Sequence, residues 1–201
     1  DTYKPAVVEA ALEAGAHIIN DVSGLRYPAV AESCARAGAA LVVMHTAAPP
    51  KVRLQDRDLY GDVVTDVVAF LRERVGQATE AGLPWESVIL DPGPDFTKTP
   101  AQTVALLRGL DAVWDLGRPV LLALSRKDFL GAITGRSPRG RDAATAAAIA
   151  CLATRAGGIV RVHDVAAAVD VIATVQTLRG DRELPDDYLL PEELRHEPRR
   201  A

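Results

Sequence analysis

Ser87-Val88-Ile89-Leu90-Asp91 is a run of branched apolar residues that stops on a carboxylate, and its texture decides the fold. The pattern recurs at Ala16-His17-Ile18-Ile19-Asn20 and at Ala40-Leu41-Val42-Val43-Met44-His45. It returns at Pro119-Val120-Leu121-Leu122-Ala123-Leu124-Ser125 and at Gly158-Ile159-Val160-Arg161-Val162-His163. Uninterrupted apolar runs of this length suit strands buried on both faces, as in parallel sheets.

Alanine-rich segments with helical spacing separate these runs. Residues 5–14 and 28–37 each begin at a proline and stop at a glycine, Gly15 and Gly38. Val63, Val64, Val67, Val68, Leu71 and Val75 recur at three and four, which predicts a long helix over about residues 58–81. Thr99-Pro100 predicts a cap and first turn for a helix reaching Leu110. Asp142 is expected to cap a helix over residues 143–156, and Asp164 one over residues 165–178.

Repeated β-α units imply an α/β fold with parallel strands. About one unit per 30–40 residues fits a TIM-type (β/α)8 barrel, in which about 250 residues make eight units. The competitor, a doubly wound sheet, would normally carry a glycine-rich phosphate turn after an early strand, and none is present. Residues 1–180 read as about the last five units of such a barrel, so the first three are expected to lie outside this chain. Residues 181–201 turn to charge and proline and read as a solvated tail with a short docked turn at Tyr188-Leu189-Leu190.

The 201 residues are 48% hydrophobic and 25% charged, with a formal net charge of −4. A mildly acidic chain has no electrostatic reason to bind nucleic acid. No run of 18 apolar residues offers a membrane span. Two cysteines, Cys34 and Cys151, make neither a disulfide framework nor a thiolate metal site, which points to a reducing cytoplasm. Both, with His17, are assigned to packing.

In a barrel, chemistry sits at the C-terminal ends of the strands. Asn20, Met44-His45, Asp91, Ser125-Arg126-Lys127 and Arg161 with His163 all fall there. Arg161 and His163 project to one side of their strand, and with Lys127 they would form an anion site for phosphate or diphosphate. Asn20 and Asp91 can match the donor and acceptor edge of a flat nitrogen heterocycle. Blander readings stand beside these. Asp91-Pro92-Gly93 also reads as a turn, and Asn20-Asp21 before Ser23-Gly24 as capping chemistry. Arg161 and His163 could pair with Asp164 or Asp170. Arg136, Arg139 and Arg141 read as solvated.

The ordered set of motifs resembles the dihydropteroate synthase family over residues 1–180. Asp1-Thr2-Tyr3-Lys4 looks like the end of the family's third strand. His17-Ile18-Ile19-Asn20-Asp21-Val22-Ser23-Gly24 resembles the fourth, and Val43-Met44-His45 the fifth. Asp91-Pro92-Gly93 with Phe96 and Lys98-Thr99 resembles the sixth strand's loop. Ser125-Arg126-Lys127 and Arg161-Val162-His163-Asp164-Val165 complete the set.

The resemblance implies condensation of 6-hydroxymethyl-7,8-dihydropterin diphosphate with 4-aminobenzoate, giving 7,8-dihydropteroate and diphosphate. It implies that Asp1, Asn20 and Asp91 hold the pterin edge, that Lys127 reaches the ring and that Met44 supplies an apolar wall. Arg161 and His163 would hold the diphosphate, with Phe96 and Ser125 on the aminobenzoate side. Lys127, Arg161 and His163 would be the catalytic cations. It further implies Mg²⁺, with its ligand in the part outside this chain, and a homodimer formed through late helices.

Three positions depart from the family pattern. Asp95 and Ala123 stand where glycine is common, and Asp128 where serine is frequent. A carboxylate 4 Å from that of aminobenzoate would repel it by about 4 kcal/mol at an effective dielectric near 20. Otherwise Asp95 would turn to solvent or pair with Arg126 or Lys98. These departures make a non-catalytic paralogue that keeps pterin or partner binding the alternative function. A pterin-dependent methyltransferase is a further one, but that reaction releases no diphosphate and gives no reason for the basic trio.

Overall fold

The computed structural model of the chain describes residues 1–52, 54–152 and 157–196. Five strands, β1 (Ile18–Asp21), β2 (Ala40–Met44), β3 (Val88–Asp91), β4 (Val120–Leu122) and β5 (Gly158–Val160), form one sheet. Every neighbouring pair is parallel, and the spatial order is the chain order. A doubly wound sheet reverses its order at a switch point. This sheet never does.

Eight helices accompany the strands among the described residues: α1 (Pro5–Glu13), α2 (Ala29–Ala37), α3 (Val63–Glu80), α4 (Pro100–Arg108), α5 (Asp111–Trp114), α6 (Asp128–Thr134), α7 (Asp142–Leu152) and α8 (Val165–Arg179). Strand residues alternate between two faces. Leu41, Val43, Val88, Leu90, Val120 and Leu122 join Val67, Leu71, Leu106 and Val113 of the helices in the main core. On the opposite face Val42, Ile89 and Leu121 make a small separate cluster with Ala40 and Ala123. Helices over one face and a strand-only layer on the other, in sequential parallel order, is the wall of a TIM-type barrel. No helix among the described residues is long and apolar enough to cross a membrane.

Local chemistry sets most helix ends. Thr99 and Gln102 form a reciprocal capping box at α4, with Pro100 in its first turn. Asp164 accepts from the Ala167 N–H at 3.0 Å, as the sequence predicts. The long helix begins later than its periodicity suggests, because Asp62 caps it by accepting from Thr65 N–H at 2.7 Å. Residues 58–61 stay outside it, and the Tyr60 hydroxyl reaches Thr97 instead. The helix expected to run to Leu110 ends at Arg108, since Gly109 lies against Val64, where a Cβ would meet Cγ2 at 2.7 Å.

Other expectations need correction. Asp142 is not a cap but the first residue of α7, and its carboxylate accepts two bonds from Arg126 at 2.7 and 3.1 Å. Residues 153–156 of the helix expected there lie outside the described residues. Helix α6 had no signal in the sequence. Of the residues assigned to packing, Cys34 is buried, whereas His17 and Cys151 are exposed. Arg141 is buried rather than solvated: its guanidinium donates to the carbonyls of Arg126, Lys127 and Arg136 and to Asp128 Oδ1. Gly131 leaves room for that group, because a Cβ there would sit 2.2 Å from Arg141. In the tail a turn forms at Tyr188, yet Tyr188, Leu189 and Leu190 remain exposed rather than docked.

Candidate functional site

Of the polar residues singled out in the sequence, Asn20, Met44 and Asp91 lie at strand ends on the face away from the helices, whereas His45 turns to the helix side against Phe70. Register puts Asn20 opposite Val42, and Met44 opposite Asp91. Asn20 points to this open face. Its neighbour Asp21 points to the helix side, where its Oδ1 accepts the Ser23 N–H at 2.6 Å. The capping reading of Asn20-Asp21 therefore holds for Asp21 alone.

Asp91 is buried, and its Oδ1 accepts the Gly93 N–H at 2.7 Å, so Asp-Pro-Gly is a turn and a site at once. Burial pushes its carboxyl above the usual range, and the Lys127 ammonium is the strongest influence in the other direction. Lys127 Nζ donates to the Pro94 carbonyl at 2.6 Å and stands 4.6 Å from the Phe96 ring centroid. Desolvation lowers its pKa, against the pull of Asp91 and Asp95, and the Arg161 charge pushes the same way as desolvation. Met44 is buried beneath this group.

A second polar arc crosses the mouth. Thr2 N–H donates to the Asn20 carbonyl, laying the chain start along β1. Asp1 accepts from Asn20 Nδ2 at 2.8 Å and from Arg161 at 2.9 Å, joining the β1 side to the residue after β5. Asn20 Oδ1 is buried and has no partner. Arg161 pairs with Asp1, not with Asp164 or Asp170. His163 Nδ1 lies 2.8 Å from Ser125 Oγ. Both Arg161 and His163 sit beyond the end of β5 and are exposed. A cleft of about 860 Å³, lined in part by Thr46, Pro49, Lys51, Phe96 and Lys127, opens on the Phe96 side of the site.

Lys98 and His45 hold the site from beneath; the sequence places His45 at a strand end and offers Lys98 as a partner for Asp95, and neither reading anticipates the contact between the two. Lys98 is 0% exposed; Nζ donates to the carbonyls of Gly93 (2.9 Å) and Phe96 (3.0 Å) and reaches His45 Nδ1 at 2.8 Å. Burial lowers Lys98 to about 7, and burial together with the Lys98 charge lowers His45 to about 3. His45 is therefore neutral. These bonds hold a loop in which Asp95 (φ 64°) and Thr97 (φ 53°) adopt left-handed backbone that non-glycine residues seldom take. Nothing in the spacing of Phe96-Thr97-Lys98 announces that the lysine turns inward.

A lysine whose pKa falls on folding binds fewer protons in the native state than in the unfolded one. Its burial thus costs stability most below pH 7, and that cost lifts as pH rises toward its ordinary value of 10.5. Relative to Lys98→Met, the parent chain is expected to gain up to about 1.4 kcal/mol per pH unit between pH 7 and 10. Urea unfolding of both proteins across that range measures it. Parallel curves would show that Lys98 keeps an ordinary pKa.

Fold and site together define a β/α-barrel domain whose wall pairs a buried carboxylate and amide with a cluster of cations. Residues 1–163 match the family model described as pterin binding enzyme, and the chain belongs to that family. Dihydropteroate synthase of Streptococcus pyogenes serotype M1 is 41% identical over 181 residues, which is 89% of this chain and 65% of that protein. The Mycobacterium leprae (strain TN) dihydropteroate synthase is 43% identical over 182 residues, 87% of this chain and 64% of its own length. Dihydropteroate synthase from Thermus thermophilus in complex with 4-aminobenzoate superposes with a TM-score of 0.84 at 41% identity, covering 90% of this chain and 73% of that one. The Xanthomonas albilineans enzyme in complex with 7,8-dihydropteroate gives 0.81 at 40%, over 89% and 65%. The chain thus spans about 65% of the length of the first curated relatives it matches.

Proposed function

We propose that this chain is the substrate-binding part of a dihydropteroate synthase. It would take 6-hydroxymethyl-7,8-dihydropterin diphosphate and 4-aminobenzoate to 7,8-dihydropteroate and diphosphate. The observation that carries the reading is the buried, unpartnered Asn20 Oδ1 on the same wall as buried Asp91. Two acceptors on an apolar wall call for a flat ligand with several donors on one edge, since unpaired buried acceptors are costly. Relatives with 40% and 41% identity bind 7,8-dihydropteroate and 4-aminobenzoate.

In this reading Asn20, Asp1 and Asp91 take the pterin edge, Met44 its face and Lys127 its ring. Arg161 and His163 receive the diphosphate, Arg161 exchanging Asp1 for a phosphate oxygen. Phe96 and Ser125 flank the aminobenzoate. The amine nitrogen forms a bond to the pterin methylene carbon as the C–O bond to diphosphate breaks. The electron pair leaves with the diphosphate, and the nitrogen loses a proton to water. Cations placed where that charge develops lower the barrier. The amine is already nucleophilic, so positioning is the other contribution.

The two acidic departures do not favour the non-catalytic alternative: Asp95 turns to α6, and Asp128 pairs with Arg141 at 3.0 Å. Mg²⁺ would take its ligand from outside this chain, as the resemblance implies; among the described residues no group of three or more His, Cys, Asp or Glu could hold it. We further propose a cytoplasmic homodimer, supported by the exposed apolar residues Val165, Val169 and Leu178 of α8.

Diphosphate release that depends on 4-aminobenzoate tests the reaction. Arg161→Ala is expected to lower kcat/KM for the pterin diphosphate about 10- to 150-fold, for a charge-assisted bond of ~1.5–3 kcal/mol. A chain that releases no diphosphate and binds neither substrate would reject the proposal.

A further inference from the structure

Helix α6 follows directly on Lys127, the residue at its N-cap position, whose side chain makes no cap bond. The capping oxygen comes instead from another loop. Asp95 Oδ2 accepts the N–H of Asp128 at 2.6 Å and of Phe129 at 3.3 Å. Its Oδ1 accepts from the Thr103 hydroxyl of α4 at 3.2 Å, and the same hydroxyl accepts the Asp95 N–H at 3.1 Å. Asp95 does this from φ 64°, a conformation that aspartate tolerates better than most residues. The chain between Pro94 and Phe96 is thereby fastened to two helices. Lys127 closes the loop from the other side by donating to the Pro94 carbonyl and lying against the Phe96 ring.

We infer that Asp95 is a positioning residue, which caps α6 from across the site and so locks Phe96 and Lys127 into one rigid unit on the aminobenzoate side. The inference rests on the proposed function for what the unit binds, but not for the lock itself. Asp95 touches no substrate in this role. It acts through Phe96, while the pterin edge is held by Asn20 and Asp91 on the strands. The carboxylate is consumed by backbone N–H groups, and the repulsion expected of an acid beside the aminobenzoate carboxylate is correspondingly reduced.

The test compares the parent chain with Asp95→Ala and Asp95→Asn, because asparagine tolerates the same backbone and keeps an accepting oxygen. Removing a cap is expected to speed amide exchange at Asp128 and Phe129, and to raise the KM for 4-aminobenzoate, each about fivefold, the factor equivalent to ~1 kcal/mol. The KM for the pterin diphosphate should hold, and Asp95→Asn should restore both readouts. Unchanged exchange in Asp95→Ala, equal rises in both KM values, or an asparagine variant that behaves like alanine would overturn the inference. Faster exchange at Asp128 and Phe129, in a parent chain that makes no dihydropteroate, supports the lock and rejects the functional reading alone.

Discussion

Asp91→Ala is expected to weaken pterin binding by about 30-fold or more, in line with the ~2–5 kcal/mol lost when one member of a buried charged pair is removed. The carboxylate lies at the end of β3 with Lys127 as its strongest opposing charge, and Lys98 and Arg161 also favour its ionised form. Deleting it takes from the ligand an acceptor and from Lys127 and Lys98 the carboxylate that most favours their charged forms. Asp91→Asn separates the two roles. It keeps an oxygen for the Gly93 N–H, and therefore the turn, but removes the charge. Calorimetric titration with the pterin should show a large loss for both variants, while only alanine lowers the thermal midpoint substantially. The pH dependence has opposite signs for ligand and fold. A carboxyl whose pKa is raised on folding stabilises the native state most at low pH, and that contribution is lost as pH rises through its native pKa. Acidification therefore favours the fold at this residue while protonating the acceptor that the pterin needs. An Asp91→Ala chain that bound pterin as the parent does would show that the site is elsewhere.

The barrel wall was legible because its signals are local. Apolar runs that stop on polar residues named five strands, and Asp62, Thr99 and Asp164 cap helices within three residues of themselves. Among these, Asp62 moved a helix start only because a cap outranks periodicity at a helix end. Asn20, Asp91 and Lys127 could be found because strand ends in a barrel converge. What escaped were the particular pairings between residues distant in the chain. The cap of α6 comes from 33 positions earlier, and the partner of Lys98 from 53 positions earlier. Arg161 meets Asp1 across 160 positions. Arg141 looked like one more basic residue in a Gly/Pro loop, and only the room left by Gly131 lets it fold inward. Burial of a charged side chain depends on such pairings, which periodicity does not encode.

Gly93→Ala is expected to be the most damaging single methyl group in the site. Gly93 has φ +63°, and an added Cβ would lie 2.2 Å from the His45 carbonyl oxygen and 3.2 Å from its carbon. Both obstacles are backbone, so no rotamer change relieves the contact. Left-handed backbone costs about 1–2 kcal/mol for a residue with a Cβ, and overpacking adds ~1–3 kcal/mol. The sum, about 2–5 kcal/mol, lowers the thermal midpoint by roughly 5–20 °C for a chain of this size. Gly93 also donates to Asp91 and accepts from Lys98 and from the Phe96 N–H. A shift large enough to free the methyl group must therefore move the carboxylate that faces the pterin and the ring that faces the aminobenzoate. Gly38→Ala is the matched control, because Gly38 has φ +66° at the end of α2 but nothing within 4 Å of where an added Cβ would lie. It should carry only the backbone cost and leave both ligands bound. If the two variants lost equal stability, the close approach of the Asp91 loop to β2 would not be what holds the site in shape.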